Sequence, residues 1–249
     1  MKEIVVNTLV FAQKHALGMR QLEMMKKLQA ANFKKVEVRR EYFDQIELET
    51  KEIGEYANAH AFEVFYSVPE KMYEHGKLQL EEIELYFQEA RVLSGHYVKM
   101  VIGDYEEITE EDVKNLNHLT QTYDIHLTVE NDQTQADGTV KKILDFARAF
   151  KNKGGNLGIT FDSGNWLWTN EDPLVNAKKL SPYVTYYHIK DVKNPEAPQA
   201  TRLGGGIVPW QEILKELPDG IPVALEYPMG KDVMEVLKEE YKIFIDSSC

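Results

Sequence analysis

Short apolar runs recur along the chain, and after each one apolar residues return every three or four positions. The runs are IVVNTLVF (Ile4–Phe11), KVEVRREYF (Lys35–Phe43), AFEVFYSV (Ala61–Val68), YVKMVIG (Tyr97–Gly103), HLTVEN (His126–Asn131), LGITFD (Leu157–Asp162), VTYYHIKD (Val184–Asp191) and PVALEY (Pro222–Tyr227). Their β-branched and aromatic content predicts strands. The intervening LEMMKKLQAAN, LETKEIGEYANAH, LEEIELYFQEARVLS, EEDVKNLNHLTQTYD, VKKILDFARAFKNK, DPLVNAKKL, PWQEILKEL and DVMEVLKEEYKIFI carry the helical period. Asp172-Pro173 reads as an N-cap followed by proline at the first helical position. Strand and helix thus alternate eightfold. The expected fold is α/β, a closed (β/α)8 barrel in one domain over residues 1–249, with a doubly wound open sheet as the alternative.

Alternation within each run assigns faces. Val223 and Leu225 oppose Ala224 and Glu226; Ile159 and Phe161 oppose Gly158, Thr160 and Asp162; Leu127 and Val129 oppose His126, Thr128 and Glu130. The larger apolar face packs on helices, so the other lines the barrel. Glu130, Asp162 and Glu226 then fall on the inner face at the C-terminal ends of their strands, where barrel enzymes place their active sites. His188 ends the seventh run. Three carboxylates and an imidazole on neighbouring strands can converge on one divalent metal. The oxygen-rich donor set suits Mn²⁺, Mg²⁺ or Co²⁺, and Zn²⁺ or Fe²⁺ are compatible with it.

Net charge changes the choice of partners. Against 29 basic residues stand 41 acidic ones, a balance of −12. Such a surface repels phosphate backbones and anionic lipid, so neither nucleic acid nor membrane is the expected partner. No window approaches the roughly 18 apolar residues of a membrane span. The N-terminus reads as a first strand, not a signal peptide. The single cysteine, Cys249, precludes an intrachain disulfide and fits a reducing, cytoplasmic setting.

The runs TVEN, ITFDSGN, YYHIKD and ALEY, with LGGGIVPWQEIL between the last two, resemble the xylose isomerase-like TIM barrels. That superfamily includes sugar isomerases and epimerases, dehydratases, and endonuclease IV. The resemblance runs from VEVRR to ALEYP and is specific for the superfamily, weak for any one member. It implies that Glu130, Asp162, His188 and Glu226 ligate one divalent metal. It also implies that Glu130 and Glu226 are the acid/base pair, moving a proton next to a carbonyl through an enediolate. The substrate implied is a small sugar, sugar phosphate or hydroxy-keto acid, and a homo-oligomer is a family-level expectation. Departures matter. Asn165 stands where several members carry a second histidine; it is a poor metal ligand but can bind a substrate oxygen. The third and fourth strands end in FYSVPE and MVIGDYE without the histidines of a trinuclear zinc site, against DNA cleavage. Gly204-Gly205-Gly206 replaces a usual G-E-G.

Other side chains could fix a substrate. Glu37 and Arg39 share a face of the second strand, and Lys99 lies inward on the fourth, so a Glu37–Lys99 or Glu37–Arg39 ion pair is expected, structural or substrate-directed. Lys190 shares the face of His188, nearer the mouth. Arg202, before the glycines, could hold a carboxylate or phosphate, and Trp166 could wall a sugar. Asn7 interrupts an apolar strand, which suggests that it faces inward. The remaining histidines show no ligand spacing. The alternative to an isomerase is a metal-dependent dehydratase of inosose or dehydroshikimate type, or a non-catalytic sugar-binding barrel.

Overall fold

The computed structural model describes residues 3–247, so Cys249 lies outside the described residues. Eight parallel strands close on themselves: β1 (Val5–Asn7), β2 (Lys35–Arg39), β3 (Glu63–Glu74), β5 (Gly95–Gly103), β6 (His126–Glu130), β7 (Gly158–Asp162), β8 (Val184–Ile189) and β11 (Val223–Leu225). Each strand pairs with its predecessor, and β11 closes onto β1 with Val5 opposite Ala224. Three short strands decorate the rim. β4 (Lys77–Leu78) folds back on the end of β3, and β9 (Asp191–Lys193) pairs with β10 (Gln199–Thr201). The helices are α1 (Ala12–His15), α2 (Gln21–Ala30), α3 (Ile46–His60), α4 (Leu80–Val92), α5 (Glu110–Tyr123), α6 (Val140–Asn152), α7 (Pro173–Leu180), α8 (Trp210–Glu216) and α9 (Val233–Ser247). The expected barrel is therefore the observed fold.

The first two strands stop well before the ends of their predicted runs. The first stops at Asn7, whose side-chain oxygen accepts the Leu9 amide and turns Thr8–Phe11 into a 3-10 helix. This cap satisfies an amide that further strand would have paired, and it brings the chain off the rim. The second stops at Arg39, and Arg40–Tyr42 form another 3-10 turn. The third is longer than Ala61–Val68. It runs on to Glu74 past a register shift, where Lys71 pairs with Val101 and Tyr73 with Gly103. Helix starts follow their caps. Thr109 and Asp112 form a capping box for α5, and Asp172 accepts the amides of Leu174 and Val175 ahead of Pro173.

The outward strand faces and the helices enclose one large apolar core. Inside the barrel a second, smaller cluster of Val5, Phe65, Tyr186 and Ala224, with Tyr97 packed on it, plugs the N-terminal end. Phe65 stacks on Tyr97 at 4.3 Å between ring centroids. The candidate acids and cations of the mouth lie in the layers above this plug, while Lys35 and Glu63 pair at the strand starts below it.

Candidate metal centre

Strand alternation delivers the four candidate ligands. Glu130 ends β6, Asp162 ends β7, His188 sits one residue before the end of β8, and Glu226 follows β11 directly. All four are buried, and one donor atom from each lies within 4.8 Å of the others. No single acid here would be informative, but four on the contiguous strands β6, β7, β8 and β11 form a compact N/O donor set.

Each carboxylate has its outer oxygen engaged elsewhere. Glu130 Oε2 takes Lys99 Nζ at 2.5 Å. Glu226 Oε1 takes Arg39 Nη1 at 2.8 Å and Asn7 Nδ2 at 3.1 Å. Asp162 Oδ1 takes the amides of Gly164 and Asn165 at 2.8 and 2.9 Å. The inner oxygens are the ones left for a cation. Glu130 Oε1 and Asp162 Oδ2 accept no aligned hydrogen bond, although Lys190 Nζ stands 2.7 Å from the latter and 3.5 Å from Glu226 Oε2. Nδ1 of His188 donates to Glu226 Oε2 at 3.0 Å and is 2.9 Å from Glu130 Oε1. Buried acceptors without aligned donors are rare unless something else occupies them, and this set fits a divalent ion.

The surroundings orient the set. The other ring nitrogen of His188 is 2.8 Å from Glu37 Oε2, which also accepts the Tyr186 hydroxyl at 2.7 Å. A carboxylate behind a histidine ligand fixes the ring and raises its basicity. Asn131 clamps the end of β7, accepting the Asp162 amide and donating to the Asp162 carbonyl.

Burial and neighbours pull the titrations apart. Burial pushes Asp162 up to about 6, because Lys190 offsets it only in part and Glu226 and Glu130 add to it. Burial also raises Glu130 and Glu226, but in both it is outweighed. Lys99 holds the Glu130 carboxyl below its usual range, and His188, Lys190 and Lys99 hold Glu226 well below it. Two carboxylates of the cluster are thus held ionised far into acid, while the third titrates nearer to neutral pH.

Several expected contacts are rearranged. Neither the Glu37–Lys99 nor the Glu37–Arg39 pair forms. Glu37 lies a pleat below Arg39 and meets His188, whereas Lys99 reaches across to Glu130 and Arg39 to Glu226 and Glu41. Trp166 is no wall to the mouth. It is fully buried behind β7, packed at 5.4 Å on Phe161, whose side chain belongs to the helix-facing side. Arg202 is turned away, gripped by Glu239 and Glu240 of α9. Asn165 is used internally, accepting Lys190 Nζ at 3.2 Å and Gln133 Nε2 at 3.1 Å while donating to Asn131 O. It positions Lys190. The three glycines wrap an acid supplied by the strand: Asp191 accepts the amides of Val192, Gly204, Gly206 and Val208. A Cβ on Gly206 would collide with the Asp191 carboxylate and the Val192 carbonyl. Asn131, Ser67 and Asp191 were not among the expected site residues. Strand alternation from Phe65 would have placed Ser67 inward, and the amide-rich VEND and acid-ended HIKD were the signals for the other two.

The family model for the xylose isomerase-like TIM barrel matches residues 11–246. No curated protein matches the sequence. Among solved structures, the chain is similar to the probable 3-DHS dehydratase AsbF of Bacillus anthracis, at 15% identity over 98% of this chain and 99% of that one, with a TM-score of 0.73. It is also similar to the IOLI protein with a bound zinc atom, at 14% identity, 99% and 98% coverage and a TM-score of 0.73. A D-psicose 3-epimerase in the presence of D-fructose gives 12% identity, 99% and 98% coverage and a TM-score of 0.70. At these identities the structural likeness is one of fold. No helix among the described residues is long and apolar enough to cross a membrane.

Proposed function

The chain belongs to the xylose isomerase-like TIM barrel family, and on that premise we propose that it is a divalent-metal-dependent isomerase or epimerase of a small carbohydrate-like carbonyl compound. The observation that carries the reading is the placement of Glu130 and Glu226. They approach Nδ1 of His188 from different strands at 2.9 and 3.0 Å, each with a cation on its outer oxygen. A divalent ion held by Glu130, Asp162, His188 and Glu226 supplies polarisation of a carbonyl and charge stabilisation of an enediolate.

The chain's own residues do the rest. One glutamate takes a proton from the carbon next to the carbonyl, and the other returns one at the neighbouring carbon or the opposite face. Lys99 and Arg39 keep these carboxylates ionised and fixed in direction. The aromatic plug below excludes water, which strengthens each charge interaction above it. Lys190, steadied by Asn165, is assigned to a substrate oxygen.

A dehydratase reading on the same residues is favoured by one feature: the buried Lys190 ammonium is an acid poised where a leaving hydroxyl could be protonated. Mass spectrometry of ketoses, inososes and hydroxy-keto acids incubated in D₂O, with and without EDTA, separates the two. EDTA-sensitive gain of one non-exchangeable deuterium supports the isomerase or epimerase; EDTA-sensitive loss of water moves the assignment to dehydratase. No EDTA-sensitive change in any of them would remove the proposal.

A further inference from the structure

The inward side chains at the mouth divide by strand. β6, β7, β8 and β11 carry the four candidate ligands. The other four strands, β1, β2, β3 and β5, are also contiguous in the barrel and bring Asn7, Arg39, Ser67 and Lys99 to its inner face. Arg39 pairs in register with Ser67, and Ser67 with Lys99, so a guanidinium, a hydroxyl and an ammonium stand side by side at one level. Ser67 is 1% exposed, and its Oγ has no hydrogen-bond partner. A buried hydroxyl left unpaired between two cations is unfavourable unless a ligand completes it.

Charge points the same way. The buried carboxylates Glu37, Glu130, Asp162 and Glu226 face the cations Arg39, Lys99 and Lys190. With a divalent ion added and His188 neutral as a ligand must be, one positive charge is left over. Glu41 holds Arg39 Nε at 2.6 Å from the solvent edge and, being one-third exposed, offsets only part of that charge. A neutral sugar leaves the remainder uncompensated; a monoanion cancels it.

We propose that the Arg39–Ser67–Lys99 edge of the mouth is a carboxylate subsite, and that the substrate is a hydroxy-keto acid rather than a neutral or phosphorylated sugar. The carbonyl end faces the metal ligands, and the carboxylate lies against β2, β3 and β5, taking the Ser67 hydroxyl as donor. This rests on the proposed function for the charge of the metal and for the orientation of the substrate.

Three probes share one carbon skeleton: hydroxypyruvate, dihydroxyacetone and dihydroxyacetone phosphate. Titration calorimetry of the Mn²⁺-loaded protein is expected to show hydroxypyruvate binding at least tenfold more tightly than either of the others. Ser67→Asp places a negative charge in the subsite and should abolish that preference while dihydroxyacetone still binds; Ser67→Ala should weaken it several-fold. Thermal melting and Mn²⁺ content confirm that each variant is folded and loaded. Equal affinities for the three probes, tighter binding of dihydroxyacetone or its phosphate, or a preference unchanged in Ser67→Asp would overturn the subsite. Proton exchange on a neutral ketose without any carboxylate preference would overturn the subsite and leave the proposed function standing. A carboxylate preference without EDTA-sensitive exchange would do the reverse.

Discussion

The two halves of the barrel mouth are built from the same βα repeat and yet differ in chemistry. On β6, β7, β8 and β11 the strand ends offer acceptors, three carboxylates and an imidazole. On β1 and β2 the strand ends, and on β3 and β5 mid-strand positions, offer an amide, a guanidinium, a hydroxyl and an ammonium. Two residues cross the division. Glu37 sits a pleat deeper on β2 and faces His188, and Lys190 lies just past β8 and faces Asp162. Glu37 thus reaches a candidate ligand of the opposite half, whereas Lys190 gives its own half the cation that half otherwise lacks. The difference teaches that the donor half does not merely balance charge. It takes up the outer oxygens of Glu130 and Glu226, so the inner oxygens are turned toward one point.

The division breaks most completely at Glu226, where both halves meet. Glu226→Gln should retain the fold, lose metal measured by plasma mass spectrometry, and lower deuterium exchange by about 10²–10⁴-fold. Unchanged metal and exchange would remove Glu226 from the site. Next in size is Glu37→Gln, which takes the anion from behind His188. Metal affinity, followed by chelator competition, should fall by about 10–100-fold, and an unaltered affinity would make Glu37 a barrel-filling residue only.

Lys190→Ala sharpens the comparison by removing the one ammonium from the acceptor half. Metal should stay bound, while KM rises or kcat falls by about tenfold, the loss expected of one charged hydrogen bond. Metal loss in this variant would instead make Lys190 part of the ion's support. pH probes the acceptor half directly. Asp162 must be ionised and His188 neutral to ligate. The Asp162 carboxyl titrates at about 6, and His188, although burial lowers it, is held well above its usual range by Glu37, Glu226 and Glu130, so metal affinity should fall about tenfold per pH unit as His188 takes up its proton and more steeply below about pH 6, where Asp162 takes up a second. A slope that does not steepen down to about pH 5 would show that Asp162 is not a ligand. The smallest effect belongs outside both halves. Arg202→Ala loses a half-exposed contact with α9 and should cost about 1 kcal/mol in thermal or urea unfolding without altering turnover. A raised KM would return Arg202 to the mouth.

The strand-end acids and His188 were legible because a two-residue period assigns each to the inner face without any knowledge of its neighbours. Pairings across the barrel were not. Glu37 was expected to meet a cation and meets His188 instead, because the register between strands puts Lys99 level with Arg39 and leaves Glu37 level with Phe65 and Tyr97, one pleat below. Arg202 and Trp166 follow no strand period. Arg202 is drawn off by Glu239 and Glu240, and Trp166 by the apolar layer around Phe161, partners that only the folded chain brings near. The ends of β1 and β2 were overrun because the apolar run continues into a turn. Asn7 and its cap on Leu9, not hydrophobicity, set the boundary.

The loop after β8 carries a design lesson. Its glycines look like the slack from which substrate range is usually re-engineered, yet four of its amides are bound to Asp191 and Gly206 has no room for a side chain. Libraries that randomise this loop would mostly sample unfolded rims. Diversity placed at position 67 would reshape what the mouth accepts while leaving the rim intact.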